Sequence, residues 1–304
     1  MKSFEIDNFD GPQSGAIRES NIRKPTADEV LVDIKVASVN PLDLKIMAGY
    51  MEAVFPIQFP YVPGTDFSGV VKSVGDNVTT FKSGDRVVGR MEPNTGGAFA
   101  QQGIISASKL NKINDAIGFE QAAALPTAYG TAHLALLGIA KLQAGQCVLI
   151  HAGAGGVGSF AIQIAKQTGA YVIATASKNN ADLLRDLGAD EALDYRTQDI
   201  ADLSDIHVVL DTIGGETLAR SWDVLTDNGI IVTLADFAIE NRGSKRGEFV
   251  FFTDATPAMS VAMQDIERNQ LQIVMDTIFS LDETRIALEK VATGHARGKV
   301  TVRI

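Results

Sequence analysis

The sequence has little cysteine, and this scarcity excludes two classes of structure. One cysteine, Cys147, occurs in 304 residues. An intramolecular disulfide is therefore impossible, and so is a zinc site built from several thiolates. The first residues, MKSFEIDNFDGP, lack the basic and apolar segments of a secretory signal. Both observations favour a reducing compartment, and we expect a cytoplasmic protein.

Positive charge and long apolar runs are also scarce. Lys and Arg number 27 against 37 Asp and Glu, a net charge of −10, so the average surface repels phosphate backbones and anionic lipid headgroups. The longest apolar stretch, 122–142, is interrupted by Pro126, Gly130 and Gly138. It therefore lacks the continuous run of apolar residues that a membrane span requires. We expect buried helix there, and neither a nucleic acid nor a membrane as partner.

Two regions of the chain differ in their apolar periodicity. Up to about residue 117, short alternating runs such as VLVDIKVAS, FSGVVKSVG and DRVVGR are separated by turn residues, which predicts antiparallel β-structure. After Phe119, the strand-like runs CVLIHA, YVIAT, HVVLDT and IIVTLA alternate with segments of helical period. That alternation is typical of βαβ units and a parallel sheet. The sequence therefore predicts two domains with a boundary near residue 118.

Helices in the second region are predicted by their spacing and by their ends. SFAIQIAKQTG and DLLRDLGA each place apolar residues three or four apart and end on a glycine suited to a C-cap. A last helix is expected at 283–292, followed by KVTVRI. This short alternating strand resembles the first region, so we expect the chain to return to its first domain.

A glycine-rich turn lies between the predicted strand CVLIHA and the helix SFAIQIAKQ. In a G-x-G-x-x-G pattern at this place, the first glycine permits a tight turn and the second lets the backbone approach a pyrophosphate. The third allows close helix–strand packing, and the helix N-terminus faces the anion. A surface turn without a ligand is the alternative, which the flanking strand and helix disfavour. The residues of this glycine turn are Gly153, Ala154, Gly155, Gly156, Val157 and Gly158.

The end of the next strand bears on the choice between NAD and NADP. Sites that prefer NAD carry an acidic residue about twenty positions after the glycine turn, and its carboxylate accepts a hydrogen bond from the ribose 2′-hydroxyl. This chain instead has Ser177 and Lys178, which favours NADP(H) because no carboxylate would repel a 2′-phosphate. In the alternative interpretation, Ser177 starts the next turn and Lys178 is a solvated surface residue.

Several segments together resemble a known family. PYVPGTDFSGVV, VNPLDLK, LPTAYGTAHLAL, the glycine turn and GHARGKVTVRI are similar to the zinc-free quinone oxidoreductases related to ζ-crystallin, in the medium-chain dehydrogenase/reductase superfamily. The similarity covers nearly the whole chain. It implies an α/β fold with a GroES-like catalytic β domain, 1–118 and 270–304, and an inserted Rossmann domain with a doubly wound parallel sheet, 119–269.

The same resemblance implies that no metal takes part. Zinc-dependent members of the superfamily place two cysteines and a histidine around a catalytic metal. The matching positions here are Asn40, Thr65 and Ala123, of which two are poor zinc ligands and the third cannot be one. Asp43 and Asp66 stay near the vacated site, where turn formation and supporting hydrogen bonds are more plausible than chemistry.

Candidate catalytic and binding residues follow from the resemblance. Without a metal the hydride acceptor must take electrons with little Lewis-acid help, as a quinone or a conjugated enone can, and hydrogen-bond donors should face the oxygen that gains charge. Asn40 and Tyr50 are the candidates for this role. Thr127 resembles the family threonine that contacts the nicotinamide, and Tyr195 the tyrosine beside the adenine ribose. A turn cap is the alternative for Asn40, and a partly buried structural ring for Tyr50.

The predicted function is therefore an NADPH-dependent, zinc-independent reductase of quinones or α,β-unsaturated carbonyls. An enoyl-thioester or alkenal reductase on the same scaffold is one alternative, and a non-catalytic NADPH-binding sensor or structural protein is another. The family is commonly dimeric through edge strands, so we expect a homodimer and assign Phe249–Phe252 to that edge. Whether Arg242, Lys245 and Arg246 help to bind the cofactor stays open, as does the physiological acceptor.

Overall fold

A computed structural model describes the whole chain, residues 1–304. Its contacts divide the chain into two compact units, each with its own large sheet and its own apolar core. Unit 1 comprises Met1–Thr127, Thr253–Gln270 and Met275–Ile304, and unit 2 comprises Ala128–Phe252 and Leu271–Val274.

The helices and strands follow the periodicity of the sequence closely. The α-helices are α1 (Pro41–Met47), α2 (Phe119–Ala123), α3 (Pro126–His133), α4 (Gly156–Thr168), α5 (Ala181–Asp186), α6 (Gly215–Val224), α7 (Thr256–Glu267) and α8 (Thr284–Ala292). The strands are β1 (Lys2–Glu5), β2 (Ala16–Glu19), β3 (Glu29–Ser38), β4 (Asp66–Val74), β5 (Arg86–Arg90), β6 (Gln102–Ser106), β7 (Leu110–Lys112), β8 (Cys147–Ile150), β9 (Tyr171–Ala176), β10 (Glu191–Asp194), β11 (Ile206–Asp211), β12 (Leu225–Thr233), β13 (Arg246–Phe249), β14 (Met275–Ser280) and β15 (Lys299–Arg303).

Unit 1 is built on a seven-stranded sheet in the order β14-β15-β3-β4-β5-β7, with β6 also paired to β3. All of its pairings are antiparallel except β14 with β15. Strand β15 pairs with β3, where Thr301 lies opposite Ser38. The antiparallel region predicted from the alternating runs is present, and it includes a strand from the far end of the sequence.

Unit 2 is built on a six-stranded parallel sheet in the order β10-β9-β8-β11-β12-β13. Numbered within the unit, this is the 3-2-1-4-5-6 order of dinucleotide-binding sheets, in which ligands bind at the carboxyl edge where the order reverses. The predicted helices α4 and α5 are both present. Gly169 and Gly188 follow them with φ of +85° and +104°, the left-handed conformation that glycine adopts readily after a helix.

Two sequence-based boundaries differ from the structure. The assignment of Phe249–Phe252 to the sheet edge is wrong beyond its first residue, because β13 covers Arg246–Phe249. Phe252 instead packs against Gly130, where its ring fills the space that a Cβ would take. The predicted boundary at residue 118 precedes α2, and α2 is part of unit 1, since Ser68 Oγ donates to the Phe119 carbonyl at 2.7 Å.

The stretch 122–142, where buried helix was expected, contains three helical segments. It contains the end of α2, the whole of α3 and a π-helical segment, Leu134–Ile139. Glycine and proline interrupt regular α-helical hydrogen bonding, which accounts for the division. No helix of the structure is long and apolar enough to cross a membrane.

Candidate active site

The glycine turn begins where β8 leaves the sheet of unit 2. Ala152 has φ of +52°, so the left-handed residue of this turn is an alanine and not one of the predicted glycines. The N–H of Gly153 donates to the Thr175 carbonyl at 2.8 Å, which ties the turn to β9. A Cβ on Gly158 would lie 2.3 Å from the Ala152 carbonyl oxygen and 2.7 Å from the Gly153 Cα. Only glycine therefore fits at Gly158.

The N-terminus of α4 offers backbone donors to an anion. Gly155 is its N-cap and no side chain caps the helix, so the N–H groups of the first turn have no acceptor within the helix. A helix N-terminus of this kind binds phosphate through its N–H groups and its dipole. A Cβ on Gly155 would meet only the Ala152 carbonyl oxygen, at 3.3 Å, so the fold itself does not demand glycine there.

A buried histidine, His151, directly precedes this turn and is held by two side-chain hydrogen bonds. His151 Nε2 lies 2.9 Å from Ser221 Oγ, and the Ser221 hydroxyl donates to a backbone carbonyl, so Nε2 must carry the hydrogen. The other nitrogen, Nδ1, lies 3.3 Å from Thr175 Oγ1 and accepts. Burial lowers the pKa of His151 to about 4, although the charge of Asp211 opposes this shift. The imidazole is therefore neutral at pH 7.

The ends of β9 and β10 bring together the residues predicted near the adenosine ribose. Asp194 pairs with Ala176 in parallel register, so Ser177 and Tyr195 leave the sheet side by side. The N–H of Tyr195 donates to the Ala176 carbonyl at 3.2 Å, and the tyrosine ring is 55% exposed. Lys178 is exposed in the turn that Ser177 begins.

Sequence analysis missed one cation at this edge. Arg196 Nε donates to the Tyr195 hydroxyl at 3.3 Å, and its guanidinium lies 5.5 Å from the centre of the same ring. Arg196 and Lys178 therefore follow neighbouring parallel strands and carry positive charge at the same edge. The signal was present in the segment LDYRTQ, where an arginine comes directly after the tyrosine that the family resemblance identified.

The three cations whose role stayed open all have partners elsewhere in unit 2. The Arg242 guanidinium lies 4.9 Å from the Trp222 ring, and Lys245 Nζ donates to the Trp222 carbonyl at 2.7 Å. Arg246 forms an ion pair with Glu248 at 3.1 Å. Trp222 belongs to the last turn of α6, where cations are stabilised by the helix dipole. The structure thus places two of these cations at the C-terminal end of a helix.

In unit 1, the buried carboxylate of Asp66 joins two of the predicted site residues. Asp66 Oδ2 accepts from Asn40 Nδ2 at 2.9 Å and from the Thr127 backbone N–H at 3.0 Å. Its other oxygen, Oδ1, accepts from the Thr127 hydroxyl at 2.7 Å. Arg90 Nε in turn donates to Thr127 Oγ1 at 3.0 Å. Asn40 and Thr127, 87 positions apart in the sequence, thus belong to one hydrogen-bond network.

Lys299 completes this network from β15. Its ammonium donates to Asn40 Oδ1 at 2.6 Å and to the Val39 carbonyl at 3.0 Å, and the residue is buried. Burial lowers the pKa of Lys299, while Asp66 and Asp43 oppose that shift. A buried ammonium requires such partners, because desolvation of an isolated charge is very costly.

Asp43 is the second buried carboxyl group of the network. Its Oδ2 accepts from the Asn40 backbone N–H at 2.8 Å, and its Oδ1 is buried without a partner. Burial raises the pKa of Asp43 to about 7, and the hydrogen bond from Asn40 opposes the shift. The aspartates Asp43 and Asp66 face two buried cations, Arg90 and Lys299. We call this set of residues the polar network: Asn40, Asp43, Asp66, Arg90, Thr127 and Lys299.

Sheet register explains how residues distant in sequence meet in the polar network. Thr301 lies opposite Ser38, Ser38 opposite Asp66, and Asp66 opposite Arg90, on four neighbouring antiparallel strands. Side chains of directly opposed residues share one face of a sheet, and so do residues two apart on one strand. Lys299 therefore shares the face of Thr301. Sequence analysis missed Lys299 and Arg90, because spacing along the chain carries no information on this register.

The remaining predicted residues of unit 1 lie in different surroundings. Tyr50 is 82% exposed in the turn after α1, and its hydroxyl makes no hydrogen bond within the chain. Thr65 and Ala123, two of the three positions matched to zinc ligands, are fully buried. Thr65 Oγ1 lies 3.5 Å from Asp66 Oδ1. No three His, Cys, Asp or Glu side chains gather into a group that could hold a metal ion.

Comparison with known protein families matches both parts of the chain. Residues 26–132 match the family described as alcohol dehydrogenase GroES-like domain, and residues 187–302 match the family described as zinc-binding dehydrogenase. The first match agrees with the β-sheet of unit 1, and the second includes most strands of the parallel sheet of unit 2. Both agree with the predicted α/β fold class.

Individual relatives cover nearly the whole chain. Quinone-oxidoreductase QR1, chloroplastic, of Triphysaria versicolor is 31% identical over 99% of this chain and 98% of its own length. The 2-methylene-furan-3-one reductase of Solanum lycopersicum is 34% identical over 93% of this chain and 74% of its own length. The crystal structure of Escherichia coli quinone oxidoreductase complexed with NADPH is 26% identical, with a TM-score of 0.90 over 100% of both chains. The chain therefore belongs to the medium-chain dehydrogenase/reductase superfamily, as an oxidoreductase of its quinone oxidoreductase-like group.

Proposed function

We propose that this oxidoreductase uses NADPH, without zinc, to reduce a quinone or an α,β-unsaturated carbonyl. The observation that carries the proposal is the polar network of unit 1. Around this network, the positions matched to zinc ligands are occupied by Asn40 and Thr65, both hydrogen-bonded to Asp66, and by the buried methyl group of Ala123. Such a site can donate hydrogen bonds to an oxygen but has no thiolate or imidazole for a metal.

Unit 2 fits a bound dinucleotide. The uncapped N-terminus of α4 supplies N–H donors, the strand order reverses next to β8, and no Cβ stands at Gly155 between backbone and pyrophosphate. When bound, a reduced nicotinamide would supply a hydride, which is two electrons and one proton. The related Escherichia coli quinone oxidoreductase was solved with NADPH.

A preference for NADPH over NADH is supported by the ends of β9 and β10. Lys178 and Arg196 bring two cations to this edge, beside the hydroxyls of Ser177 and Tyr195. Charge-assisted hydrogen bonds of this type bind a phosphate dianion well. The turn after β9 has no acidic residue to compete for a ribose 2′-hydroxyl.

The acceptor class follows from the absence of a metal ligand set. A simple ketone accepts a hydride less easily when no Lewis acid polarises its oxygen, whereas a quinone or a conjugated enone accepts one more readily. The names of two relatives, a quinone-oxidoreductase and a 2-methylene-furan-3-one reductase, agree with these two classes. Asn40 and Tyr50 are the proposed donors to the acceptor oxygen, and Thr127 the proposed contact of the nicotinamide. Enoyl thioesters would be reduced by the same chemistry if the site admits their acyl group.

A quaternary arrangement is part of the proposal. Strand β13 forms one edge of the parallel sheet, and Phe249 within it stacks on the exposed ring of Phe237, with 4.2 Å between ring centroids. Unpaired edge strands with apolar side chains are normally covered. We propose a homodimer joined through β13, and the single cysteine supports a reducing compartment such as the cytoplasm.

The test is oxidation of NADPH and, separately, of NADH by the purified protein, with a panel of quinones, enones and an enoyl thioester, each with and without a metal chelator. We expect turnover that resists the chelator and prefers NADPH. The variant Lys178→Ala/Arg196→Ala should lose that preference, because it removes both cations from the ends of β9 and β10 and leaves the glycine turn intact. Arg242→Ala is the matched control, since its guanidinium lies on Trp222.

Each alternative has its own outcome in this experiment. Loss of turnover on adding the chelator would contradict zinc independence. Turnover with the enoyl thioester alone would indicate the enoyl-thioester reductase. Tight NADPH binding with no oxidation on any acceptor would indicate a sensor or a structural protein.

A further inference from the structure

The side-chain amide of Asn40 can adopt only one orientation. It lies between Lys299, whose ammonium can only donate, and Asp66, whose carboxylate accepts from four N–H and O–H groups. Oδ1 must therefore face the ammonium at 2.6 Å, and Nδ2 must face the carboxylate at 2.9 Å. The chemistry of the two neighbours thus fixes which end of the amide donates.

One hydrogen of this amide is left without a partner. Nδ2 carries two hydrogens, and no group of the chain other than Asp66 accepts from it. Asn40 is only 2% exposed, so the second hydrogen is largely withdrawn from solvent. Buried N–H groups are nearly always hydrogen-bonded in native proteins, so an unpaired one indicates a ligand or an ordered water.

Lys299 also changes the strength of that donor. A positive charge on the oxygen end of an amide draws electron density away from the nitrogen, which makes the N–H a better donor, and the effect is larger in a buried site. Lys299 is the charged group that donates to Asn40 Oδ1. The ammonium therefore orients the amide and polarises it.

We propose that Lys299 is a positioning residue for hydride transfer: it holds and polarises Asn40 so that the free Nδ2 hydrogen is donated to the acceptor oxygen as that oxygen gains charge. The inference rests on the proposed function. When an enone is reduced, the hydride bonds to the β carbon, the C=C electron pair shifts, and the carbonyl oxygen becomes an enolate. The enolate later takes a proton from solvent at the α carbon. The Asn40 N–H stabilises the enolate oxygen and is not consumed.

Three variants test the inference through their kinetics. Lys299→Met keeps the length of the side chain and removes its charge and donors. We expect kcat to fall about tenfold or more, within the range known for oxyanion donors, with KM and the NADPH dissociation constant nearly unchanged. Asn40→Ala should lower kcat at least as much. In the double variant kcat should equal that of Asn40→Ala, because Lys299 acts through Asn40.

Controls separate this role from a structural one. Thr301→Val changes a buried hydroxyl without a partner, two residues along β15 on the same face, and should leave kcat unchanged. If Lys299→Met does not fold, the pair Asp43→Asn and Asp43→Asn/Lys299→Met makes the same comparison, because the first substitution offsets the charge lost in the second.

Two results would overturn this inference and leave the proposed function intact. The first is that the wild type is active and the folded Lys299→Met variant has the same kcat. The second is that kcat falls further when Lys299→Met is added to Asn40→Ala. A wild-type protein that oxidises NADPH with none of the acceptors would overturn the proposed function, and the inference with it.

Discussion

The two units form their polar sites in different ways. In unit 2, backbone groups make the site: a left-handed Ala152, glycines without a Cβ, and the free N–H groups of α4, next to a single buried neutral histidine. In unit 1, the site is made of the side chains of the polar network, most of which are buried and four of which are ionisable. A site made of backbone groups tolerates a largely apolar core, whereas a site made of buried charges depends on every partner.

Because of this difference, we expect substitutions to affect the two units through different physical causes. Removal of a charge from unit 1 leaves its partner desolvated and unpaired, which costs more than the interaction itself contributed. A Cβ added in unit 2 does not unbalance any charge. It displaces backbone instead, and the displacement changes the affinity for any ligand that binds to that backbone.

The largest effect should come from Asp66→Asn, which keeps the shape of the side chain and removes its charge. The new amide keeps one acceptor oxygen, but its NH2 group faces a group that now donates to Asp66, either the Thr127 hydroxyl or the Asn40 amide, and Lys299 and Arg90 are left with less compensating charge. We expect a loss of about 3–5 kcal/mol in the free energy of unfolding. Denaturant unfolding measures it.

The control for Asp66→Asn is Asp115→Asn, because the Asp115 side chain is fully exposed and its ion pair with Arg86 lies at the surface. That variant should unfold within about 0.5 kcal/mol of the wild type. A loss of similar size in both variants would show that burial in the polar network does not set the cost.

Acidification should affect the two units in opposite directions. His151 has a pKa of about 4, below its ordinary value of 6.5, so its contribution to stability is full above pH 6.5 and is lost as the pH falls towards 4. Asp43 has a pKa of about 7, above its ordinary 3.8, so its burial costs stability as the pH rises from 4 to 7. The differences correspond to about 3 kcal/mol for His151 and about 4 kcal/mol for Asp43.

Hydrogen exchange at single amides can resolve these opposite trends. Between pH 6.5 and 4.5, and after correction for the intrinsic exchange rate, protection in β8 should fall and protection in β3 should rise. His151→Gln should flatten the first trend and Asp43→Asn the second, while His295→Gln, at an exposed position, should alter neither. Parallel trends in both strands would contradict the assignment of these two groups.

A smaller effect on stability, but a large one on binding, is expected from Gly158→Ala. Its Cβ would stand 2.3 Å from the Ala152 carbonyl oxygen, so the turn must move. We expect about 2 kcal/mol of destabilisation and a marked loss of NADPH affinity. Gly118→Ala is the control, because its Cβ would meet nothing closer than a flexible glutamine side chain at 3.5 Å. Calorimetric titration with NADPH measures the affinity, and an unchanged affinity would contradict a pyrophosphate site at the glycine turn.

The same difference between the units decides how much the sequence could predict. The strands β8, β9, β11 and β12, the glycine turn and α4 follow one another along the chain, so periodicity and spacing were enough to place them. The polar network joins Asn40, Asp66, Arg90 and Lys299 through sheet register, which depends on pairing between distant strands. Sequence analysis therefore identified Asn40 through the family resemblance but not the lysine that orients it.

Local pattern was also insufficient where tertiary packing decides. The run FVFF has high strand propensity, yet only its first residue lies in β13, because Phe252 packs against Gly130. The positive φ of Ala152 was likewise not expected, since alanine seldom adopts it and its neighbours include four glycines.

The position of Lys299 in the sequence has a consequence for the newly made chain. Ribosomes synthesise proteins from the N-terminus, so Asp43 and Asp66 emerge long before the lysine that faces them, and all of unit 2 emerges in between. Unit 2 can therefore fold while translation continues. Of the two buried cations that face these aspartates, Arg90 emerges early and Lys299 late, so Asn40 obtains its fixed orientation only after β15 has been made and pairs with β3.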